Sequence, residues 1–233
     1  TIDTACSSAL TCTHVAMQAL RNKDCTIAVV GAASIISEPD QSLNFCRLGA
    51  LSPEARCKSF DDAANGYIRS EGVCAMIIKR LSDAQKEGDN ILAIIKGSAV
   101  NQDGKSKRLT APSTVAQGML HTAALKNAQL NHNDIDYIEA HGTGTKVGDP
   151  AEVRGLMFAY EKYRNKENPL IIGAIKSNIG HMECNAGMAS MFKVIVGLQH
   201  NIIPKSIHFH TPNTLIDWEN IPLIVAKDNI PWK

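Results

Sequence analysis

Asp136-Tyr137-Ile138-Glu139-Ala140-His141-Gly142-Thr143-Gly144-Thr145 reads as a short strand that runs directly into a glycine- and threonine-rich segment carrying a histidine. The same pattern recurs where residues 170–175, an apolar strand, feed Lys176-Ser177-Asn178-Ile179-Gly180-His181. It recurs at the front, where Thr1-Ile2-Asp3-Thr4-Ala5-Cys6-Ser7-Ser8 delivers a cysteine into the helical pattern of residues 9–20. Such junctions between strand ends and polar segments are where α/β folds place their chemistry.

Working outward, the β-branched run at residues 26–33 predicts a fully buried strand, and residues 72–81 and 91–100 predict two more. Residues 34–70 read as loops with short helices, punctuated by Pro39, Gly49, Pro53 and Gly66. A Gly/Lys/Asp-rich loop is expected at residues 101–113, then a helix at 114–129 with Val115, Met119 and Ala123 or Leu125 on one side. Asp149-Pro150-Ala151-Glu152 opens a helix with proline and acids in its first turn, and residues 185–199 form an apolar helix buried on most sides. Strands alternating with helices predict α/β architecture, with parallel sheets covered on both faces. The charged connection at residues 82–89 is the best internal boundary, giving an expected division into 1–90 and 91–233.

Composition narrows the function classes. The chain has 233 residues, 44% hydrophobic and 20% charged, which suits a globular protein able to bury a substantial core. Its 24 basic and 23 acidic residues leave no electrostatic footprint for nucleic acid or an anionic membrane. Seven scattered cysteines without a CxxC pair argue against a disulfide framework or a thiolate zinc site, and for a reducing, cytoplasmic setting. No apolar run reaches the roughly 18 residues of a membrane span, and no signal segment opens the chain. The missing initiator methionine predicts an internal piece of a longer protein.

Cys6 at a helix start admits two readings. It is either a small buried hydrophobe or a nucleophile whose thiolate is favoured by free backbone N–H groups and the helix dipole. A nucleophile also needs an oxyanion stabiliser and groups that manage charge on the second reactant. His141 and His181 both sit beside glycines at strand exits, where backbone can approach a ligand closely. His14, His121, His132 and His200 lie in helical or loop contexts without such flanks and read as structural or solvated. His208-Phe209-His210 is a weak metal pair, with no third ligand nearby. Lys176 follows an apolar strand and needs a partner if buried there, for which Glu183 is nearest in sequence; otherwise it snorkels to solvent.

Asp3-Thr4-Ala5-Cys6-Ser7-Ser8, Glu139-Ala140-His141-Gly142-Thr143-Gly144-Thr145 and Lys176-Ser177-Asn178-Ile179-Gly180-His181 resemble, in order, the three signatures of β-ketoacyl synthase domains. Arg47-Leu48-Gly49-Ala50-Leu51-Ser52, Arg69-Ser70-Glu71-Gly72 and Gly148-Asp149-Pro150 fit as well, and the resemblance covers essentially the whole chain. It is closest to the ketosynthases of type I polyketide synthases and animal-type fatty acid synthases.

The resemblance implies a thiolase-like αβαβα sandwich, here without its outermost segments, usually dimeric. It implies decarboxylative Claisen condensation between an acyl-enzyme thioester and malonyl or methylmalonyl on an acyl carrier protein. Cys6 would be the acylated nucleophile. His141 and His181 would hydrogen-bond the extender's thioester carbonyl, promote decarboxylation and stabilise the enolate. Lys176 would organise the site electrostatically together with Glu183. Thr143 and Thr145 would hydrogen-bond the phosphopantetheine arm delivered by the carrier protein; no metal or redox cofactor is implied. Met182, Cys184 and Asn185 depart from the family's small residues around Glu183, which puts the packing behind His181 in question. As a piece without the outer segments, the chain is expected to fold poorly or be inactive alone. Two other classes compete: a non-condensing carrier-protein binding or chain-length module, and a thiolase or starter synthase that uses coenzyme A. The complete signature set argues against the first, the two histidines and Thr-rich loop against the second. A zinc deaminase is excluded, since His181-Met182-Glu183 has no Pro-Cys-x-x-Cys after it.

Overall fold

The structure, a computed structural model, describes residues 1–105 and 112–232. In chain order the elements are α1 (Ser8–Asn22), β1 (Ile27–Ser34), α2 (Asp40–Arg47), β2 (Gly72–Lys79), α3 (Leu81–Glu87), α4 (Thr114–Ala128), β3 (Tyr137–Glu139), α5 (Gly148–Tyr160), β4 (Leu170–Gly173), α6 (Lys176–Ile179), α7 (Ala186–His200), β5 (Ile202–Ile203), β6 (Leu223–Val225) and β7 (Ile230–Pro231). The expected α/β class holds, and the two histidine segments each follow the strand read for them.

Among the described residues there are three sheets. β3, β4 and β6 form a parallel sheet in the order β3-β4-β6, with Tyr137 opposite Ile171 and Leu170 opposite Leu223. Leu170, Ile172 and Leu223 are buried there with Val153, Leu156 and Tyr160 of α5 and with Phe60. This core fixes the ends of β3 and β4, and so the starting points of the two histidine segments. β1 and β2 pair antiparallel, Val29 opposite Ile77, and pack Val30 with Ala9 of α1 and Met188 of α7. β5 and β7 pair antiparallel, near Tyr137 and Ala226.

Several expectations are corrected. β1 is not fully buried: its residues alternate, Val30 inside and Val29 71% exposed, because only one face of the β1–β2 pair packs on α1 and α7. That pair is antiparallel, so parallel pairing covers only part of the chain. Residues 91–100 form no strand. Side chains take their polar groups instead: Arg21 donates to the Lys96 carbonyl, Asn127 accepts from the Ser98 N–H, and His14 meets the Ser98 hydroxyl at 2.8 Å. In α4 the buried residues are Ala116, Gly118 and Leu125, whereas Val115 and Met119 are exposed, since the helix packs its small-residue side against Phe158 and the rest of α5. α7 is deeply buried only over Ala186–Ala189 and at Gly197. The connection at 82–89 is itself largely helical, as α3, and the loop read at 101–113 has residues 106–111 outside the described residues.

Beneath β4 lies a buried ion pair. Lys193 of α7 meets Glu139 at 2.7 Å, with side chains 9% and 5% exposed, and the Tyr137 hydroxyl donates to the same carboxylate at 2.6 Å. Removing one member of such a pair leaves an uncompensated buried charge. Lys193→Met is therefore expected to cost about 3–5 kcal/mol of unfolding free energy, measured by urea denaturation. Lys193→Met with Glu139→Leu together should cost less than Lys193→Met alone.

Candidate active site

The first segment is a tight turn built from its own hydroxyls. Ala5 adopts φ +55°, a left-handed conformation that costs a non-glycine residue about 1–2 kcal/mol. Its N–H donates to Asp3 at 3.0 Å, and its carbonyl accepts from both the N–H and the hydroxyl of Ser8. The Ser8 oxygen in turn accepts the Thr4 N–H at 2.9 Å, while Ser7 donates to the Thr4 carbonyl at 2.8 Å. Asp3, Thr4, Ser7 and Ser8 thus hold the bend that presents Cys6 just before α1.

The second segment is held by carboxylates from α5. Glu152 accepts the His141 N–H at 2.6 Å and the Gly142 N–H at 2.9 Å with its two oxygens. Asp149, fully buried, accepts the Gly144 N–H at 3.1 Å and reaches across to the Phe60 N–H at 2.6 Å. Ser59 donates to the Gly142 carbonyl and Gly66 to the Gly144 carbonyl, so residues 59–66 clamp the segment from outside. Gly142 is at φ +45°, and a Cβ there would stand 2.4 Å from the Ala174 Cβ; the close approach of the two histidine segments requires glycine. Thr143 and Thr145 place their hydroxyls 3.1 Å apart, and Thr145 also accepts the Gly148 N–H at the start of α5.

The third segment pairs with residues 68–70. The His181 N–H donates to the Ile68 carbonyl at 2.7 Å, and the Ser70 N–H donates to the His181 carbonyl at 3.0 Å. The Tyr67 ring sits edge-on to the His181 ring, centroids 5.0 Å apart. The unusual residues after His181 anchor it to the β1–β2 pair. Asn185 donates to the Gly72 carbonyl at 3.0 Å, Cys184 to the Ala33 carbonyl at 2.8 Å, and Met182 covers Gly72.

These segments converge. Donor atoms of Cys6, His141 and His181 all lie within 4.8 Å of one another, and the two imidazole rings meet edge to face at 5.4 Å. Lys176 is 3% exposed beside them. Burial pulls its ammonium down from the usual lysine range, and the carboxylates of Glu152 and then Glu139 push back. Glu183, expected as its partner, instead takes Arg69 through two guanidinium donors, because its side chain leaves the segment toward α2. Burial, with the Lys176 charge second, holds His141 and His181 down to about 3, so both are neutral donors or acceptors. His141 is exposed as a residue, with its ring against that of His181, whereas His181 is buried.

Cys6 departs from the simple helix-dipole expectation. Burial raises its thiol above the usual range, against opposing pulls from Lys176 and its own backbone N–H. It lies two residues before α1, and the loss of water outweighs those donors. Two imidazoles and a thiol could by type hold a soft metal, but the Lys176 charge that bears on all three opposes a cation. The arrangement suits a half-buried nucleophile beside two neutral hydrogen-bond donors. Glu139, Glu152, Asp149 and Arg69 join the site without having been expected there. Glu139, Asp149 and Arg69 lie in stretches that carry the family resemblance but have no role assigned by it, and Glu152 is marked only by its place in the first turn of a helix after the histidine segment.

Residues 1–84 match the family described as beta-ketoacyl synthase, N-terminal domain, and residues 92–210 the beta-ketoacyl synthase, C-terminal domain. The chain is 45% identical over 232 residues to erythronolide synthase EryA3 of Saccharopolyspora erythraea, covering 100% of this chain and 7% of that one. It is 42% identical over 232 residues to polyketide synthase GfsE of Streptomyces halstedii, covering 100% of this chain and 6% of that protein. Among solved structures, the oxazolomycin ketosynthase domain OzmH KS7 of Streptomyces albus superposes with TM-score 0.96 at 40% identity. The ketosynthase from module 6 of the bacillaene synthase of Bacillus subtilis superposes with 0.95 at 42%. Both matches cover all of this chain and 41% of the other. The chain therefore spans less than half the length of these relatives.

The neutral histidines give a pH dependence. Unfolded, each takes up a proton near pH 6.5; folded, neither does so until about 3. Between those values the unfolded state binds more protons, so stability falls as pH drops below about 6.5 and is fully present above it. Urea midpoints should decline from about pH 7 to about pH 5, and His141→Asn with His181→Gln should flatten that decline.

Proposed function

The chain belongs to the β-ketoacyl synthase family, and from that membership we propose that it carries out decarboxylative condensation of acyl and malonyl-type thioesters through Cys6, His141 and His181. The observation that carries the reading is the convergence of a half-buried thiol and two neutral imidazoles within 4.8 Å, beside a buried ammonium.

In the first half-reaction the Cys6 sulfur attacks the acyl thioester carbonyl. The new carbon–sulfur bond replaces the old one, and the thiol proton leaves on the departing phosphopantetheine thiol. Lys176 favours the developing negative charge on sulfur more than it favours the resting thiol. In the second, the extender's thioester carbonyl accepts hydrogen bonds from His141 and His181. Carbon dioxide leaves, the enolate held by those donors attacks the acyl carbonyl, and the carbon–sulfur bond breaks to release Cys6 as a thiolate that regains its proton from water. Neutral imidazoles suit this work, because each can donate one N–H without first losing a proton.

Thr143 and Thr145, with hydroxyls side by side, are assigned to the amides of the phosphopantetheine arm, and Glu183 is given a supporting place through Arg69 rather than through Lys176. The partners under this reading are an acyl carrier protein with its acyl and malonyl or methylmalonyl thioesters, in polyketide or fatty acid assembly. Its similarity to parts of two polyketide synthases favours the former. A homodimeric domain and a cytoplasmic location belong to the same reading, as does a division near residue 90, which falls between the two matched family segments. Among the described residues no helix is long and apolar enough to cross a membrane.

In the full-length protein, incubation with an acyl thioester should add one acyl group, seen by mass and mapped to Cys6; Cys6→Ala should carry none there. Malonyl decarboxylation should fall by about 10²–10³ in His141→Ala and in His181→Ala, the scale of losing one oxyanion donor. An adduct that persists in Cys6→Ala, or unchanged decarboxylation in both histidine variants, would sink the assignment.

A further inference from the structure

The His181 ring is oriented by a backbone group. The Glu183 N–H donates to His181 Nδ1 at 2.9 Å. A neutral imidazole that accepts at one nitrogen carries its proton on the other. Nε2 is then the ring's donor, the atom that must face a thioester carbonyl. This bond depends on an unfavourable backbone conformation. Glu183 sits at φ +46°, the left-handed region that a residue with a Cβ rarely adopts. Such strain persists only where the surroundings over-determine it.

The neighbouring Cys184 and Asn185 are tied to Ala33 and Gly72, and the Glu183 side chain itself is held by one guanidinium. Arg69 grips the Glu183 carboxylate from Nε and, at 3.1 Å, from Nη2. Its remaining donors go to α2: Nη1 to the Ser42 hydroxyl at 2.6 Å and Nη2 to the Gln41 amide oxygen at 2.8 Å. The guanidinium also lies 5.4 Å from the centre of the Phe45 ring. The backbone on either side of Arg69 meets His181 directly, through Ile68 and Ser70. One short stretch thus holds both the His181 main chain and the residue that sets its ring, and a planar fork is needed to reach all these acceptors at once.

We propose that Arg69 is a positioning residue for His181: by fixing Glu183 it keeps the Glu183 N–H on Nδ1 and so keeps the proton on Nε2. The inference rests on the reaction proposed above. Arg69 touches neither reacting atom; it acts through Glu183 and belongs to a segment, residues 69–72, whose chemistry has no other assignment here.

The test uses nitrogen NMR of the protein with labelled histidine, the His181 signal identified by its loss in His181→Gln. The unmodified protein should show His181 as a single Nε2–H tautomer. Arg69→Lys keeps the charge but loses the fork. It should give a mixture of tautomers and a fall of about a hundredfold in malonyl decarboxylation, the scale of a small misplacement, with Cys6 acylation by intact mass unchanged. Glu183→Gln should reproduce both effects, and the double variant should be no worse than either single one. A single Nε2–H tautomer retained in Arg69→Lys would overturn the proposal, as would acylation and decarboxylation falling in parallel. If the unmodified protein fails to decarboxylate malonyl thioesters, the condensation reading fails, while the tautomer measurement still decides the role of Arg69.

Discussion

The site depends on the burial of one positive charge. Lys176 sits just past the end of β4, 3% exposed, where taking an ammonium from water costs several kcal/mol unless charges of opposite sign compensate. The compensating carboxylates, Glu152 and Glu139, each have a second duty. Glu152 accepts the N–H groups of His141 and Gly142, and Glu139 accepts the Ile175 N–H while pairing with Lys193. Charge balance and loop shape are therefore the same set of bonds. Moving either carboxylate to suit one duty would spoil the other.

From that charge the electrostatics of the site follow. It adds to burial in keeping His141 and His181 neutral, so both remain hydrogen-bond donors over the whole physiological range. It opposes burial at Cys6, whose thiol stays protonated at rest and gains from the ammonium when negative charge develops on sulfur. A single cation thus treats the nucleophile and the two donors differently, because one becomes anionic during reaction and the others must not become cationic. The hydroxyl-built turn at Ala5 and the glycine at 142 supply the geometry that lets these groups come so close.

Legibility varies with the range of the interaction. The three polar segments at Cys6, His141 and Lys176–His181 are readable because each is a local change of pattern, from apolar residues to Gly, Thr and His. The helices α1, α5 and α7 are readable from equally local patterns of apolar spacing and first-turn residues. The expected strand at 91–100 fails because its apolar residues specify extended chain but not a partner, and α1 and α4 side chains take its polar groups. Full burial of β1 fails too, since a run of Ile, Val and Ala looks alike whether one or both faces are covered. Nearness in sequence points Glu183 at Lys176, whereas Arg69 lies more than a hundred positions away and reaches it only after folding.

What the sequence by itself determined is the chemical inventory and its order: a cysteine in a small-residue turn, two histidines beside glycines, and a lysine at a strand exit. Those are properties of residue type and short spacing, and they carry the family resemblance. Only the tertiary structure decided which acid faces which base and which backbone N–H meets the His181 ring. It also decided that the Cys6 thiol is raised rather than lowered. Each of these depends on distance through space and on exclusion of water, and neither quantity is written in the spacing of residues along a chain.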